Sequence, residues 1–392
     1  MNRRDFAKQT ALVGFGLGIW PQLLVGCKKD KSWEINFSGK VIVVGGGAAG
    51  LMAGFYLKRF GIDFELLEAG SDIGGRTKKT DSFADFPIDL GAEWLHTGPK
   101  IFGNLFDNNG PSGSMEVIPY TPATISVYKN GELKQRNIRS YFYGEYKFKR
   151  STWYDFLNSY VAAAFHPQIK LNTVIQSIDY SGSKVVLKDQ NQVEYTADKV
   201  LVTIPSIKLK TNSVTWNPAL PSSFTTAIGK TYMPAGIKVF LQFSEKFYPD
   251  VTDLDGENDA ETIYYNATFK KESNQHVLAL FTIGPRAKEL NTLGDHQLII
   301  KDCIRELDEI FGGSATGYFI KGVVQDWTAE EYIGGSYTFF NGREKDIQAD
   351  LSMSVNDKVF FAGEALHSGS SATVHGAALG GKEEIKKILA LS

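Results

Sequence analysis

The chain has 392 residues, 43% hydrophobic and 22% charged, with a formal net charge of −2 at pH 7. That length allows two domains, or one with a substantial insertion, and the composition is that of a globular protein. The near-balanced charge gives no electrostatic reason to expect nucleic acid as a partner, and no Cys/His grouping has the spacing of a metal site.

Residues 1–32 read as a leader and not as part of the fold. Asn2-Arg3-Arg4-Asp5-Phe6-Ala7-Lys8 resembles a twin-arginine export signal. Ala11 to Trp20 is apolar but shorter than the roughly 20 residues a membrane span needs. Leu24-Val25-Gly26-Cys27 resembles a bacterial lipobox, with Cys27 becoming the lipidated first residue and Lys28 to Ser32 a polar tether. The protein is therefore expected to be exported and lipid-anchored on the periplasmic side of a bacterial membrane. The alternative is a leader with a chance cysteine. A twin-arginine route carries folded proteins, which suits an enzyme that takes up its cofactor before export. Cys303, the other cysteine, then has no partner for an intramolecular disulfide. It is expected as a buried apolar residue on an amphipathic helix, Gln297 to Phe311.

The most informative stretch follows. Val41-Ile42-Val43-Val44 leads into Gly45-Gly46-Gly47-Ala48-Ala49-Gly50, then a helical segment from Leu51 to Phe60, then a second apolar run, Phe64 to Leu67, ending at Glu68. Strand, G-x-G-x-x-G turn, helix, strand and acid in that order make a dinucleotide-binding unit over about Lys40 to Ala69. Gly45 permits the tight turn, Gly47 lets the backbone approach a pyrophosphate, and Gly50 lets the helix pack on the strand. The phosphates then sit on N–H groups at the helix N-terminus, and Glu68 accepts from ribose hydroxyls. Gly74-Gly75-Arg76 comes next, followed by Asp89-Leu90-Gly91-Ala92-Glu93-Trp94-Leu95-His96.

Further on, Asn130-Gly131 between Val127-Tyr128 and Leu133 predicts a hairpin with a type I′ turn, and Trp153 to Phe165 a short amphipathic helix. Ile169 to Ile178 reads as one strand, Val185–Leu187 with Val193–Thr196 as a hairpin, and Ala197 to Pro205 as a buried parallel strand. Gly236 to Phe243 is an apolar strand interrupted by Lys238, which by itself reads as an edge-strand or sheet-face lysine. The acidic run Asp250 to Glu261 does not have calcium-loop spacing and is expected as a solvated loop. His276 to Gly284 predicts a strand, Asp295 to Phe311 a helix ended by Gly312-Gly313, and Val359 to Ala362 a buried strand. A last helix runs to Leu391.

Glu68, Gly74-Gly75-Arg76 and Asp89 to His96 closely resemble the flavin-containing amine oxidases, which include the monoamine and polyamine oxidases and the lysine-specific histone demethylase. Trp327 to Tyr337, Val359 to Ala365 and Ala372-Thr373-Val374-His375-Gly376-Ala377 extend the resemblance. It implies an α/β fold: a discontinuous Rossmann-like FAD-binding domain (38–97, 168–212, 322–392) with an inserted α+β substrate domain (98–167, 213–321) whose helical part is shortened. It implies FAD as cofactor, contacted at Gly45, Gly47, Ala48, Ala49, Gly50, Glu68, Ala69, Gly75, Arg76, Gly91, Ala92, Glu93, Trp94 and Trp327. The backbone of Val174 would pair with the adenine, Gly363-Glu364 would meet the ribityl chain, and Ala372, Thr373 and Val374 would face the flavin.

The reaction implied is transfer of hydride from the α-carbon of an amine to flavin N5, giving an imine and then an aldehyde, with O2 or another acceptor taking the electrons. The resemblance makes Lys238 the water-mediated partner of N5 and Tyr337 an aromatic wall. His96 is a candidate for positioning the substrate nitrogen, and His375 is read as structural. Ser336 replaces a flavin-bonding cysteine, so FAD should be non-covalent. Thr373 replaces a cage tyrosine, which weakens a simple monoamine assignment and leaves a secondary or polyamine-like substrate at least as good a fit. The alternatives are an amino-acid oxidase, for which Arg343 would hold the carboxylate, a desaturase on the same fold, or a lipid-anchored FAD-binding module without turnover. The oligomeric state stays open.

Overall fold

The computed structural model describes residues 33–108, 115–136, 144–254 and 262–391. The export signal, the lipobox and Cys27 lie outside them. Val41–Val44, fully buried and β-branched, is the middle of a five-stranded parallel sheet. Phe64–Leu67 and Ile169–Lys170 extend it on one side, Lys199–Val202 and Val359–Phe361 on the other. A strand buried on both faces is a continuous apolar run, which is why this sheet is easy to read. Chain direction across the sheet reverses beside Val41–Val44, and in such sheets ligands bind at the carboxyl ends of the strands flanking that switch. The helices Ala48–Arg59 and Val374–Ala390 pack together over one face, around Met52, Tyr56, Ile385 and Leu389.

A second sheet has seven strands in the order Phe319–Asp326, Gly236–Phe243, His276–Ile283, Thr262–Asn266, Val251–Asp253, Ile125–Lys129 and Glu132–Arg136. In Gly236–Phe243, the residues Ile237, Val239, Leu241 and Phe243 turn to a core under the helix His296–Phe311. Period-two alternation therefore sends Lys238, Phe240 and Gln242 to the other face, where Phe240 packs with Trp94, Tyr120 and Tyr265. Lys238 interrupts the apolar run because it belongs to that second face. Cys303 is buried on the helix, and burial pushes its thiol up to about 12.

Several expectations need correcting. Ile169 to Ile178 is two strands: Ile169–Lys170 closes the parallel sheet, Asn172 takes a left-handed φ of 54°, and Ile175–Asp179 enters a separate four-stranded sheet. Trp153 to Phe165 is helical but irregular, an α-turn Trp153–Phe156 running into a π-turn and a 3₁₀ turn. The acidic run is only partly solvated, since Asp250, just before the strand Val251–Asp253, and Asp253, its last residue, are both buried; residues 255–261 lie outside the described residues. The boundary expected at residue 322 falls inside the strand Phe319–Asp326. Residues 98–167 divide between the two halves: Ile125–Lys129 joins the second sheet, whereas Leu105, Trp153 and Phe156 pack into the core of the first. Among the described residues, no helix is long and apolar enough to cross a membrane.

Candidate functional site

A cavity of about 1360 Å³ runs from the glycine turn to the second sheet, beyond the ~300–1,000 Å³ that suits one small ligand. At its first end Gly45 has φ 109°, and a methyl on Gly50 would lie 1.9 Å from the Gly45 carbonyl oxygen. A methyl on Gly47 would meet nothing within 4 Å. Gly47 heads the helix Ala48–Arg59 and brings no side-chain cap, so the first-turn N–H groups of Ala48, Ala49 and Gly50 are left to an outside acceptor. Glu68 Oε2 accepts from the Gly46 N–H and Oε1 from the Gly70 N–H. Burial pushes this carboxyl above its ordinary range, against those two bonds. A bare helix N-terminus, an acid one strand over and open space above Gly47 fit a dinucleotide.

Along the walls, Ala69, Gly75, Arg76, Gly91, Ala92, Glu93, Trp94, Val174, Trp327, Gly363, Glu364, Ala372, Thr373 and Val374 all line this one cavity. Many of their polar groups are already engaged. Arg76 Nη1 donates to the Ser336 carbonyl at 3.0 Å and to Glu364 Oε1 at 3.1 Å, tying together three distant segments. Glu364 also accepts from the Thr338 hydroxyl at 2.6 Å. The Val174 N–H, expected to be available to an adenine, donates to Gln190 Oε1 at 2.8 Å. Thr373 caps the last helix, accepting from the Gly376 N–H at 3.0 Å. Ala372 holds a left-handed φ of 59°, a conformation that costs a non-glycine residue free energy and that concentrates at functional sites.

At the far end Lys238, 2% exposed, donates to the Asp89 carbonyl (2.8 Å), the Gly91 carbonyl (3.0 Å) and Glu93 Oε2 (2.9 Å). An ammonium has three donors, so a water held by Lys238 would have to displace one of these partners. Burial pushes the lysine down from its ordinary range, and Glu93 and Asp89 pull it back up. Tyr337 lines the cavity and stacks on Phe339 with ring centroids 5.3 Å apart. His96 also lines it, with Nδ1 2.8 Å from Glu145 Oε1. His375 is 4% exposed at the start of the last helix, and burial pushes its imidazole down to about 3. Ser336 also lines the cavity, its hydroxyl donating to the Pro234 carbonyl. Arg343 stands at the rim with its side chain 78% exposed.

Sequence reasoning missed Glu145, Lys147, Tyr265 and Phe281. Glu145 and Lys147 sit in a stretch without a motif, and they reach the site because Tyr146–Phe148 pairs antiparallel with Trp94–Leu95. Phe281 could have been found, because His276 to Gly284 reads as a strand and pairing places Phe281 opposite Lys238. Among the described residues, no group of His, Cys, Asp and Glu could hold a metal ion.

Comparison with known proteins agrees with this geometry. The profile of the family "Flavin containing amine oxidoreductase" matches residues 147–389, and that of "NAD(P)-binding Rossmann-like domain" matches 43–108. Polyamine oxidase 3 of Oryza sativa subsp. japonica is 27% identical over 425 residues, covering 86% of each chain. Two solved structures share the fold: a putrescine oxidase bound to putrescine (TM-score 0.75, 14% identity) and the cyclohexylamine oxidase of Brevibacterium oxydans IH-35A (TM-score 0.75, 16% identity). Each alignment covers 90% of this chain and 99% of the other.

Proposed function

On the premise that this chain belongs to the family of flavin containing amine oxidoreductases, we propose that it oxidises a small amine lying between Lys238 and Tyr337. The protein is an FAD-dependent amine oxidase. FAD would be held without a covalent bond, because Ser336 stands where a flavin-bonding cysteine would be. The observation that carries the reading is continuity: one cavity joins the glycine turn to the buried lysine and the aromatic wall.

FAD, when bound, supplies an acceptor for a hydride, that is for two electrons and a proton together, chemistry that side chains cannot provide. The chain would hold it with the first-turn N–H groups at Ala48 to Gly50 on the pyrophosphate and Glu68 on a ribose. Tyr337 and Phe281 give the reacting end apolar walls that exclude water. An amine arrives mostly as an ammonium and must lose a proton before its α-carbon can give up hydride. With His96 Nδ1–H donating to Glu145, Nε2 is the ring's acceptor and would take an N–H of the substrate. Lys238 would act at the cavity floor as a fixed cation, stabilising negative charge that develops beside it. The resemblance to a polyamine oxidase over 86% of the chain, with Thr373 in place of a cage tyrosine, supports a secondary or polyamine-like amine.

A panel of amines added anaerobically to the FAD-loaded protein tests this. At least one should bleach the flavin, and K238M should retain FAD while turnover falls at least tenfold. Bleaching by no amine at all would sink the reading. O2 is the proposed final acceptor, and peroxide release in air reports it.

We also propose that the chain is exported and lipid-anchored, supported by Arg3-Arg4 and by Leu24-Val25-Gly26-Cys27. Expressed in a bacterium, the protein should fractionate with membranes, and C27S should release it. An unchanged distribution for C27S would refute the anchor.

A further inference from the structure

Glu93 is 6% exposed and is gripped from three sides. Its Oε2 accepts from Lys238 Nζ at 2.9 Å and from the Tyr265 hydroxyl, and its Oε1 pairs with Lys147 Nζ. Lys147 is wholly buried and Glu93 is its ion partner. It has no aligned hydrogen bond among the described residues, and the rings of Trp94, Tyr120 and Tyr265 enclose its ammonium at 5.4, 5.0 and 5.0 Å. Lys238, Glu93 and Trp94 reach the cavity, whereas Lys147 lies behind them. The order inward from the cavity is therefore cation, carboxylate, cation, aromatic box.

Stability does not explain this array. Taking ions out of water costs several kcal/mol each, and a well-packed apolar replacement is often as stable or more so. What the array does achieve is immobility. Lys147 holds Glu93 from behind, and Lys147 cannot shift without leaving its three rings. Glu93 is thus a fixed anion, and Lys238 is bound to it and to two backbone carbonyls of the segment Asp89 to Gly91.

We propose that Glu93 is a positioning residue for Lys238: clamped by Lys147 and Tyr265, it fixes the lysine's charge in one place on the cavity floor. This rests on reading Lys238 as a cation that acts on the bound flavin.

The reduction potential of FAD in the loaded protein separates the two ideas. If Lys238 acts on the flavin, K238M lowers the potential. For Glu93 the sign is decisive. A carboxylate that acts only through its own charge raises the potential when E93Q removes it. A carboxylate that holds Lys238 in place lowers the potential when removed, as K238M does. K147M/E93Q removes one charge of each sign, so it keeps the balance of the core and decides the matter should E93Q not fold. We expect E93Q and K147M/E93Q to lower the potential, and K238M added to either to lower it little further, because residues acting through one another are not additive. A rise in E93Q, or full additivity with K238M, overturns the positioning role while leaving Lys238 intact. An unchanged potential in K238M overturns the reading of Lys238, and the role of Glu93 with it.

Discussion

Two glycines of the same turn face opposite constraints. Gly50 has no room for a side chain, since its methyl would sit 1.9 Å from a backbone oxygen that cannot swing aside. Gly47 has room within the protein, yet its methyl would project into the cavity. Gly50→Ala must push the helix Ala48–Arg59 off the strand Val41–Val44, and overpacking of this kind costs about 1–3 kcal/mol. Gly47 has φ −78° and ψ −175°, a backbone that alanine adopts without strain. G50A should therefore lower the urea midpoint of the FAD-free protein and also weaken FAD. G47A should leave that midpoint unchanged and weaken FAD alone, by tenfold or more. Equal FAD affinity in G47A and wild type, measured by flavin fluorescence on titration, would show that no phosphate lies against this turn.

Elements were legible where a local pattern and the tertiary environment agree. The parallel strands Val41–Val44, Lys199–Val202 and Val359–Phe361 are buried along nearly all their length, and each announced itself as an apolar run. The helix His296–Phe311 carries its own stop signs, with Asp295 accepting from the Gln297 and Leu298 N–H groups and Gly312 closing it at φ 65°. The hairpin at Asn130-Gly131 shows the two positive φ angles, 54° and 78°, that its sequence promised. Legibility failed where distant pairing decides. Ile169–Lys170 and Ile175–Asp179 look like one strand until Asn172 bends and the parallel sheet captures only the first part. Glu145 and Lys147 have no motif of their own, and register against Trp94–Leu95 makes them part of the site. Lys238 lies between these cases. Its position in a strand was plain, but the three acceptors its ammonium engages come from the Asp89 to Glu93 segment, at least 145 residues earlier in the chain.

The two sheets meet across the cavity, and the last helix starts at that junction, so its buried imidazole couples the acid stability of the whole molecule to the site. Burial is the main force pushing His375 down to about 3. His96 and His367 oppose its protonation as well, and the Glu145 carboxylate favours it. In the unfolded chain an ordinary histidine takes a proton near 6.5. Above that pH both states are neutral at this position and the fold keeps its full advantage. As pH falls from 6.5 toward 3 the unfolded state gains a proton that the folded state refuses, so stability is lost progressively through that window. At ~1.4 kcal/mol per pH unit the whole window carries on the order of 5 kcal/mol from this one residue. His375→Gln keeps a polar side chain of similar size but carries no titration, so its unfolding free energy should fall less steeply between pH 6.5 and 4. Urea unfolding at half-unit steps of pH makes the comparison. Parallel curves for wild type and H375Q would mean that the imidazole is protonated in the folded protein too, its charge stabilised by water entering from the cavity or by the Glu145 carboxylate.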